Sequence, residues 1–374
     1  MTKKGFYFVN SDIDNKRAHT AQILSTVEFV NSFLPLELIF PRYGKKQYDL
    51  VKLFSDYGLA GSVPVVFLSA LGAGEANAWA FLFFNISASL FLLKKKINKQ
   101  VDFIYLRSSL FLPLAVWARF LGIPFFYEAH RKPLSRGEKF RDDFLVKRAA
   151  GLIVISVVLK DHYAKQNKHI LVAHDAVSLE RFSVALEKAE ARRQLGLSPE
   201  TTIGVYQGAV SKLKGLDTLF SAARNLPAMN FEVVGPVARE FSGQDIPPNV
   251  RLAGNKSQKE VPLYLKAADF LIIPHPDNEY SQSPMKLFEY LAAGRPIISA
   301  DLANIREVLP NVGNLFFEPG NSESFVAAVK KYIENKETYD REAQQNLAVA
   351  KEYTWEKRGE KIAQFIQQSM TKRR

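Results

Sequence analysis

The stretch DFLIIPHPDNEYSQSPMKLFEYLAAGRPIISA, residues 269–300, decides the fold because it contains a complete strand–helix–strand unit. The apolar runs 269–274 and 296–300 have the length and the continuous apolar character of buried strands. Between them, the spacing of apolar residues predicts a helix over about residues 284–293. Two buried strands joined by a helix of this length are typical of a parallel sheet.

The ends of that helix are marked by residues that commonly start and stop helices. Ser283 fits the N-cap position, and Pro284 fits the first helical position, where its missing N–H group is not needed. Gly294 fits the left-handed residue that ends a helix, and Pro296 prevents the helix from continuing. We therefore expect free backbone N–H groups near Ser283 to form a phosphate site at the carboxyl end of strand 269–274.

The same alternation of strands and helices extends along the whole chain. Helix-length segments such as 17–33, 77–97 and 137–150 separate short apolar runs. The further strand-length runs are residues 5–9, 36–40, 63–68, 102–106, 124–128 and 151–155 in the first half, and 202–207, 231–235 and 250–254 in the second. This order predicts an α/β protein with two Rossmann-like, doubly wound domains that face each other across a cleft.

The length of 374 residues exceeds what one core ordinarily organises, so the chain divides into domains. A helical tail over residues 322–370 has an expected break near Thr354. We expect an N-terminal domain over 1–175, a linker over 176–183, a C-terminal domain over 184–352, and a C-terminal helix over 353–374 that packs back on the N-terminal domain.

Composition excludes several classes of protein. Charged residues make up 24% and apolar residues 47%, as in globular rather than disordered chains. The chain has no cysteine, which excludes disulfides and thiolate metal sites and favours a reducing, cytoplasmic location. The six histidines show no pair at metal-ligand spacing, so we expect no metal and no other cofactor. The apolar run after Lys4 is too short for a signal peptide.

The net charge of +12 is concentrated in the first half. Residues 1–180 carry 24 Lys and Arg against 15 Asp and Glu, which suggests an anionic partner. The basic residues are scattered and no nucleic-acid-binding module is present, so we expect no nucleic acid. The apolar segment 76–93 runs into Lys94, Lys95 and Lys96 but is too interrupted for a membrane span. It predicts either a core-facing helix or peripheral attachment to an anionic membrane surface.

Lys286 and Glu289 are the residues of the predicted helix that suit a nucleotide. They are three positions apart and therefore share a helix face. A lysine near the diphosphate and a carboxylate that accepts hydrogen bonds from the ribose hydroxyls are what a nucleotide requires. The alternative is an ordinary surface pair of opposite charge, which is common on helices.

The segment 280–299 resembles the donor-binding motif of the retaining family-four glycosyltransferases, which have the GT-B fold. Their motif is a glutamate, seven residues and a second glutamate. Glu289 matches the second glutamate, which binds the ribose, whereas Ser281 stands at the first position. The chain therefore resembles a variant branch that lacks the first glutamate, and the resemblance implies that Ser281 and Ser283 lie beside the donor.

Two further blocks resemble the same family. In residues 205–223, Lys214 matches the lysine that contacts the donor diphosphate, and it follows a loop that begins at Gly208. The arginine often found after that glycine is absent here, so Lys212 is expected to substitute for it. In residues 102–130, the resemblance implies that His130 lies near the sugar and the acceptor. With Lys214 and Glu289, His130 completes the residues that we expect to serve catalysis.

The acceptor side is less well defined by the residues. Arg107 follows strand 102–106 and is expected either to hold an acceptor anion or to pair with Glu128. Arg17 and His19, in the segment that resembles the family's first helix, are expected to face the acceptor. The loop before that helix lacks the family's glycines.

The resemblance implies a hexosyltransferase that moves a sugar, with retention, from a nucleotide diphosphosugar to a glycan or lipid-linked acceptor. It also implies an acceptor-binding domain over 1–175 and a nucleotide-sugar-binding domain over 184–352. Bacterial surface polysaccharide or glycoconjugate synthesis is the expected setting. We interpret Asp12 and Asp14 as loop and helix-cap residues rather than a metal site. A non-catalytic GT-B binding subunit, suggested by Ser281, and a GT-B nucleotide-sugar epimerase or phosphorylase remain alternatives.

Overall fold

The computed structural model of the chain describes residues 3–10, 18–43, 48–61, 63–70, 78–182, 186–241, 245–277 and 283–371. The chain divides into two compact units. Unit 1 comprises residues 1–175 and 355–374, and unit 2 comprises residues 176–354. Each unit has its own parallel sheet and its own core.

Unit 1 contains a seven-stranded parallel sheet in the order β3-β2-β1-β4-β5-β6-β7. Its strands are β1 (Gly5–Phe8), β2 (Leu36–Tyr43), β3 (Val65–Ala70), β4 (Phe103–Leu106), β5 (Phe125–Ala129), β6 (Gly151–Val154) and β7 (Ile170–Val172). Its first six helices are α1 (Ala18–Asn31), α2 (Leu50–Asp56), α3 (Ala78–Ile97), α4 (Leu112–Phe120), α5 (Arg136–Arg148) and α6 (Val157–Tyr163).

The sheet of unit 1 is buried on both faces because helices cover both. Successive side chains of a strand point to opposite faces, so β1 contributes Phe6 and Phe8 to one apolar cluster and Tyr7 to the other. All four residues of β1 are buried. The continuous apolar runs in the sequence reflect this two-sided burial.

Unit 2 contains a six-stranded parallel sheet in the order β10-β9-β8-β11-β12-β13. Its strands are β8 (Ile203–Gln207), β9 (Asn230–Val234), β10 (Val250–Gly254), β11 (Phe270–Ile273), β12 (Ile297–Ala300) and β13 (Leu315–Phe317). Its helices are α7 (Lys188–Leu195), α8 (Leu216–Arg224), α9 (Val261–Ala267), α10 (Met285–Ala293), α11 (Ala303–Arg306), α12 (Ser322–Glu334), α13 (Lys336–Glu342) and α14 (Gln345–Ala350).

The predicted fold class is confirmed, with two strands that the sequence pattern did not predict. Both β7 and β13 have only three residues and lie at sheet edges, where a short apolar run is too weak a pattern to recognise. The helical tail expected over residues 322–370 is also wrong in detail. It contains four helices, because Asn335 ends α12 and further breaks follow before Thr354.

Helix α10 starts one residue later than predicted. Pro284 occupies the cap position with an extended ψ of 112°, and no side chain caps the helix. The predicted N-cap at Ser283 is therefore wrong, because Pro284 itself makes the turn out of the preceding loop. Gly294 ends the helix with φ +66°, as predicted.

The last helix of the chain, α15 (Trp355–Thr371), belongs to unit 1 and packs on α1. At Gly359 the two helices approach so closely that a Cβ atom would lie 2.6 Å from the backbone of Phe29. A glycine at this position is what allows the contact. Across the described ranges, no helix combines the length and apolar character that crossing a bilayer demands.

Candidate functional site

Unit 2 has its topological switch point between β8 and β11. From β8 the chain continues outward through β9 and β10, and from β11 it continues in the opposite direction through β12 and β13. Open α/β sheets bind ligands at the carboxyl ends of the strands where this reversal occurs. Gly208 follows β8 and His275 follows β11, so both lie at this edge.

The loops that follow β8 and β11 are in direct contact. Gly215 has φ +78°, and a Cβ atom there would lie 1.6 Å from the carbonyl oxygen of Pro274. Only glycine fits such an approach. The contact fixes the short turn that carries Lys214 against the residues around His275.

Lys286, in the first turn of α10, lies against the loop after β8. Its side chain is buried, and its Nζ atom lies 3.9 Å from the centre of the Tyr206 ring. A Cβ atom at Gly208 would come within 2.7 Å of this Nζ, so the glycine leaves room for the ammonium group. Within the described part of the chain, Nζ has no hydrogen-bond partner. The ring face is the main contact that stabilises its charge.

His275 is the second buried group at this edge without partners. Its ring is buried, and neither nitrogen has a hydrogen-bond partner among the residues that the structure describes. Burial lowers its pKa well below the usual value, and the charges of Lys286 and Lys214 lower it further. Burial, followed by the charge of Lys214, also holds the pKa of Lys286 well below its usual range, against the opposing effect of Glu289.

Burying a polar group without a partner is costly, and burying several basic groups together is more so. Lys214, Lys286 and His275 influence one another electrostatically. Burial lowers the pKa of Lys214 as well. A bound anion would give these groups the partners that they lack. The arrangement therefore fits an anion at the carboxyl edge of β8 and β11.

Glu289, one turn further along α10, is buried and paired. Its Oε1 atom accepts from Nη1 of Arg181 at 2.9 Å, and Nη2 of Arg181 donates to the carbonyl oxygen of Gln258. The interpretation of Lys286 and Glu289 as an exposed surface pair is wrong, because both side chains are buried. The sequence analysis missed Arg181, which lies in the segment expected to be a linker.

Tyr290 connects α10 to both central strands. Its hydroxyl accepts from the backbone N–H of Gln207 at 2.7 Å and donates to the carbonyl oxygen of Ile272 at 3.3 Å. The hydroxyl of Tyr206 donates to the carbonyl oxygen of Ala209 at 2.9 Å. These contacts fix the position of Lys286 relative to the two strand ends.

The remaining predicted donor residues are placed less centrally. Lys212 is exposed, and Ser283 is half-buried immediately before α10. Ser281 lies outside the described residues. The structure thus brings together Gly208, Lys214 and Lys286, with Glu289 on the next turn of α10.

In unit 1, the buried carboxylate of Glu128 is the centre of a paired cluster. Nη2 of Arg358 donates to Oε1 at 2.6 Å, and the hydroxyl of Tyr105 donates to Oε2 at 2.6 Å. Arg358 also donates to Thr26 at 2.8 Å and to the carbonyl oxygen of His174 at 3.0 Å. Burial alone would raise the pKa of Glu128, but Arg358 and then His130 hold it well below its usual value.

His130 lies at the edge of this cluster, beside Arg107. Its Nε2 atom is 2.8 Å from Oε1 of Glu128, and its Nδ1 atom is 3.4 Å from Nη2 of Arg107. Burial, followed by the charge of Arg107, lowers the pKa of His130 to about 4. The imidazole is therefore neutral at pH 7. Nδ1 is an acceptor when Nε2 carries the proton.

Arg107 also donates to Gln22, which in turn donates to Asp175. The carboxylate of Glu128 has Arg358 rather than Arg107 as its arginine partner. Of the other predicted acceptor residues, His19 is exposed on α1, and Arg17 lies outside the described residues, as do Asp12 and Asp14. No group of three or more potential metal ligands occurs within the described ranges.

Known proteins resemble this chain in sequence and in fold. A putative teichuronic acid biosynthesis glycosyltransferase, TuaH of Bacillus subtilis, is 29% identical over 216 residues, which are 54% of this chain and 54% of that protein. The chain thus spans about half the length of this curated relative. The structure of HepE of Anabaena in complex with UDP has a TM-score of 0.77 at 15% identity. The match covers 98% of this chain and 100% of the HepE chain.

Sucrose-phosphate synthase from Thermosynechococcus elongatus gives a TM-score of 0.79 at 14% identity, covering 99% of this chain and 100% of that one. These likenesses establish the two-domain GT-B fold. The family described as glycosyl transferases group 1 matches residues 187–370, a range that includes Lys214, His275, Lys286 and Glu289. Residues 187–370, about half of the chain, are therefore similar to the glycosyl transferases group 1 family.

Proposed function

We propose that this protein is a retaining glycosyltransferase that transfers a hexose from a nucleotide diphosphosugar to a glycan or lipid-linked acceptor. The observation that carries the proposal is the group of buried basic side chains at the switch point of unit 2. Lys286 and His275 lack hydrogen-bond partners within the described residues, and Lys214 lies on the contacting loop. A diphosphate supplies the negative charge that this arrangement requires.

In the proposed complex, Lys214 and Lys286 bind the diphosphate, and Glu289 accepts hydrogen bonds from the ribose hydroxyls. Nη1 of Arg181, 2.9 Å from Oε1 of Glu289, holds the carboxylate in position for this task. The structural relative HepE was solved with UDP, so UDP is the first nucleotide to test.

The chemistry needs no nucleophile from the protein. The bond between the anomeric carbon and the diphosphate oxygen breaks, and a bond from the same face to the acceptor oxygen forms. The proton of the acceptor hydroxyl passes to the departing diphosphate. Lys214 and Lys286 neutralise the charge that develops on that leaving group, which is the largest electrostatic demand of the reaction.

We propose that unit 1 binds the acceptor through Arg107 and His130. Arg107 offers a guanidinium group whose Nη1 has no hydrogen-bond partner among the described residues. His130 is neutral and lies beside this guanidinium group, with its Nδ1 atom 3.4 Å from Nη2 of Arg107, so the two side chains would contact the same part of the acceptor. The name of the relative TuaH places that protein in teichuronic acid synthesis, which supports a role in surface polysaccharide synthesis.

Calorimetric titration with UDP and GDP tests the donor site. Replacing Glu289 by Ala, or Lys214 by Ala, should weaken nucleotide binding by about 1.5–3 kcal/mol, the range for hydrogen bonds to charged groups. Lys330→Ala, on the exposed face of α12, is the matched control and should bind as the wild type does. Unchanged affinity in both folded site variants would overturn the assignment.

A panel of nucleotide sugars separates the alternatives. A glycosyltransferase slowly hydrolyses its own donor and releases the free sugar with the anomeric configuration retained, which NMR detects. An epimerase yields a different sugar. A non-catalytic subunit binds a nucleotide and turns over none of the panel.

A further inference from the structure

Helix α3 has two apolar faces, and only one of them is buried. The buried face carries Ala80, Phe84, Ala88 and Leu92, which contribute to the core of unit 1. On the opposite face, Trp79, Leu82, Ile86, Leu90 and Ile97 are 47–70% exposed. This exposed stripe runs for about 27 Å, given a rise of about 1.5 Å per residue. An exposed apolar surface of this length on a helix usually binds another protein, a ligand or a membrane.

Helix α4 widens the exposed surface. It packs beside α3, and Nε1 of Trp117 donates to the carbonyl oxygen of Ser89 at 3.0 Å. Trp117 stacks on Phe120 with ring centres 5.5 Å apart, and Phe120 is 78% exposed. Val116, one turn earlier, is also exposed. We call the exposed apolar residues of α3 and α4 the α3–α4 face.

Basic residues border this face at one end, and acidic residues are absent from both helices. Lys94, Lys96 and Arg119 are exposed near the last turns of α3 and α4. Lys95 differs, because its Nζ lies over the rings of Phe6 and Phe91 at 5.6 and 5.4 Å. Of the three consecutive lysines, Lys94 and Lys96 are therefore surface charges, whereas Lys95 packs against aromatic rings.

A cavity of about 540 Å³ opens at the same end of the helices. Four basic residues line it, against the single carboxylate of Asp102, which accepts from the backbone N–H of Lys4. The four are Lys3, Lys96, Arg119 and Arg148. Lys96 and Arg119 thus belong to both the cavity and the border of the α3–α4 face.

We propose that the α3–α4 face docks on the surface of an anionic lipid bilayer, with its apolar side chains in the interface and headgroup phosphates in the basic cavity. The charge pattern selects this occupant. A border with cations and no carboxylate on either helix complements an anionic surface, and apolar side chains beside it add shallow burial. The proposal concerns unit 1 alone and stands whether or not unit 2 binds a nucleotide sugar.

Co-sedimentation of the full chain with vesicles tests this docking. The wild type should pellet with phosphatidylglycerol–phosphatidylcholine vesicles at low salt, bind phosphatidylcholine vesicles weakly, and dissociate as salt screens the charges. Lys94→Gln with Lys96→Gln should lower the partition coefficient about 25-fold, since each basic residue contributes about fivefold near an anionic surface. Leu90→Gln with Phe120→Gln should lower it at least tenfold.

Matched controls make the test specific. Ile333 on α12 is also an exposed apolar residue, so Ile333→Gln should leave vesicle binding unchanged, and so should Lys330→Gln. Emission from Trp79 should shift to the blue on vesicle binding, and Trp79→Phe should remove the shift. Melting curves and UDP titrations of all variants should match the wild type, which separates this proposal from the donor-site proposal.

Two results would overturn the docking proposal. One is a wild-type protein that stays in the supernatant with anionic vesicles at low salt. The other is a wild-type protein that does not bind vesicles and sediments as a dimer, while the variant with Leu90→Gln and Phe120→Gln sediments as a monomer. The second result would assign the α3–α4 face to a second copy of the chain.

Discussion

Both units bury ionisable side chains near the carboxyl ends of their strands, but the partners of these side chains differ. In unit 1, the carboxylate of Glu128 is fully buried and has Arg358 and Tyr105 as partners at 2.6 Å. In unit 2, Lys286 and His275 are buried to a similar degree, and their nitrogens lack partners within the described residues. The unit 1 cluster is complete by itself, whereas the unit 2 cluster is not.

The difference separates two uses of a buried charge. A buried charge with a partner depends on that partner, because removing it leaves the other charge uncompensated in a medium of low dielectric constant. An unpaired basic group costs folding free energy in the empty protein and recovers it when an anion binds. Variants of each cluster should therefore change stability in opposite directions.

The largest effect is expected from Arg358→Met. It leaves the Glu128 carboxylate buried without its strongest partner, which should lower the free energy of unfolding by about 3–5 kcal/mol. Urea denaturation followed by circular dichroism measures this. Arg193→Met removes the exposed pair with Glu190 and should cost less than about 1 kcal/mol. Equal losses in the two variants would show that the unit 1 cluster is not what stabilises its fold.

The pH dependence of stability should reveal His130. Its pKa is about 4 in the folded chain and 6.5 when unfolded, so between these values the unfolded chain binds a proton that the folded chain does not. Stability should therefore fall as the pH drops from about 6.5 to 4, by on the order of 2–3 kcal/mol. His130→Gln should flatten this slope above about pH 5.5, where the Glu128 carboxyl is largely ionised in the unfolded chain as well as in the folded one. A slope that persists in the variant would assign it to other groups.

Lys286→Met should produce opposite changes in stability and in binding. Without the unpartnered amine, the ligand-free protein should unfold at higher urea, with a gain of about 1 kcal/mol. Nucleotide affinity should fall by about 1.5–3 kcal/mol. Lys330→Met, exposed on α12, should change neither quantity. A loss of stability in Lys286→Met would mean that the ring of Tyr206 already satisfies this charge.

The smallest effect is expected from chelation. If Lys214 and Lys286 supply the positive charge for the diphosphate, nucleotide affinity and donor hydrolysis should be the same with and without EDTA. Activity that EDTA abolishes and manganese restores would indicate that Asp12 and Asp14 bind a metal ion.

The strand–helix–strand pattern predicted the fold because strands that are buried on both faces of a sheet appear in the sequence as continuous apolar runs. Strand β8 illustrates this, since Ile203–Gln207 lies within the predicted run 202–207. The local turn at Gly294 was equally readable, because its chemistry depends on neighbouring residues alone. Strand ends and the start of α10 were less predictable, since they depend on how Pro284 leaves the preceding loop.

Apolar periodicity and local turn residues did not predict which side chains are the partners of the site residues. Arg358 meets Glu128 across 230 positions of the chain, and Arg181 meets Glu289 across 108. Neither arginine stands in a distinctive local motif. His275 follows a strand and looks like any loop residue until the structure shows that its ring is buried without partners. Contacts between distant segments are set by topology, which periodicity does not encode.

The return of α15 to unit 1 has a consequence for the order of events during translation. Unit 2 is continuous in the chain and can reach its full set of contacts while the ribosome is still synthesising the remainder. Unit 1 begins first, yet Glu128 lacks its arginine partner and α1 lacks the helix that packs on it until residues 355–371 have emerged. Unit 1 therefore completes its fold only after α15 has been synthesised. In a chain truncated before Trp355, the second unit should be native and the first should depend on chaperones.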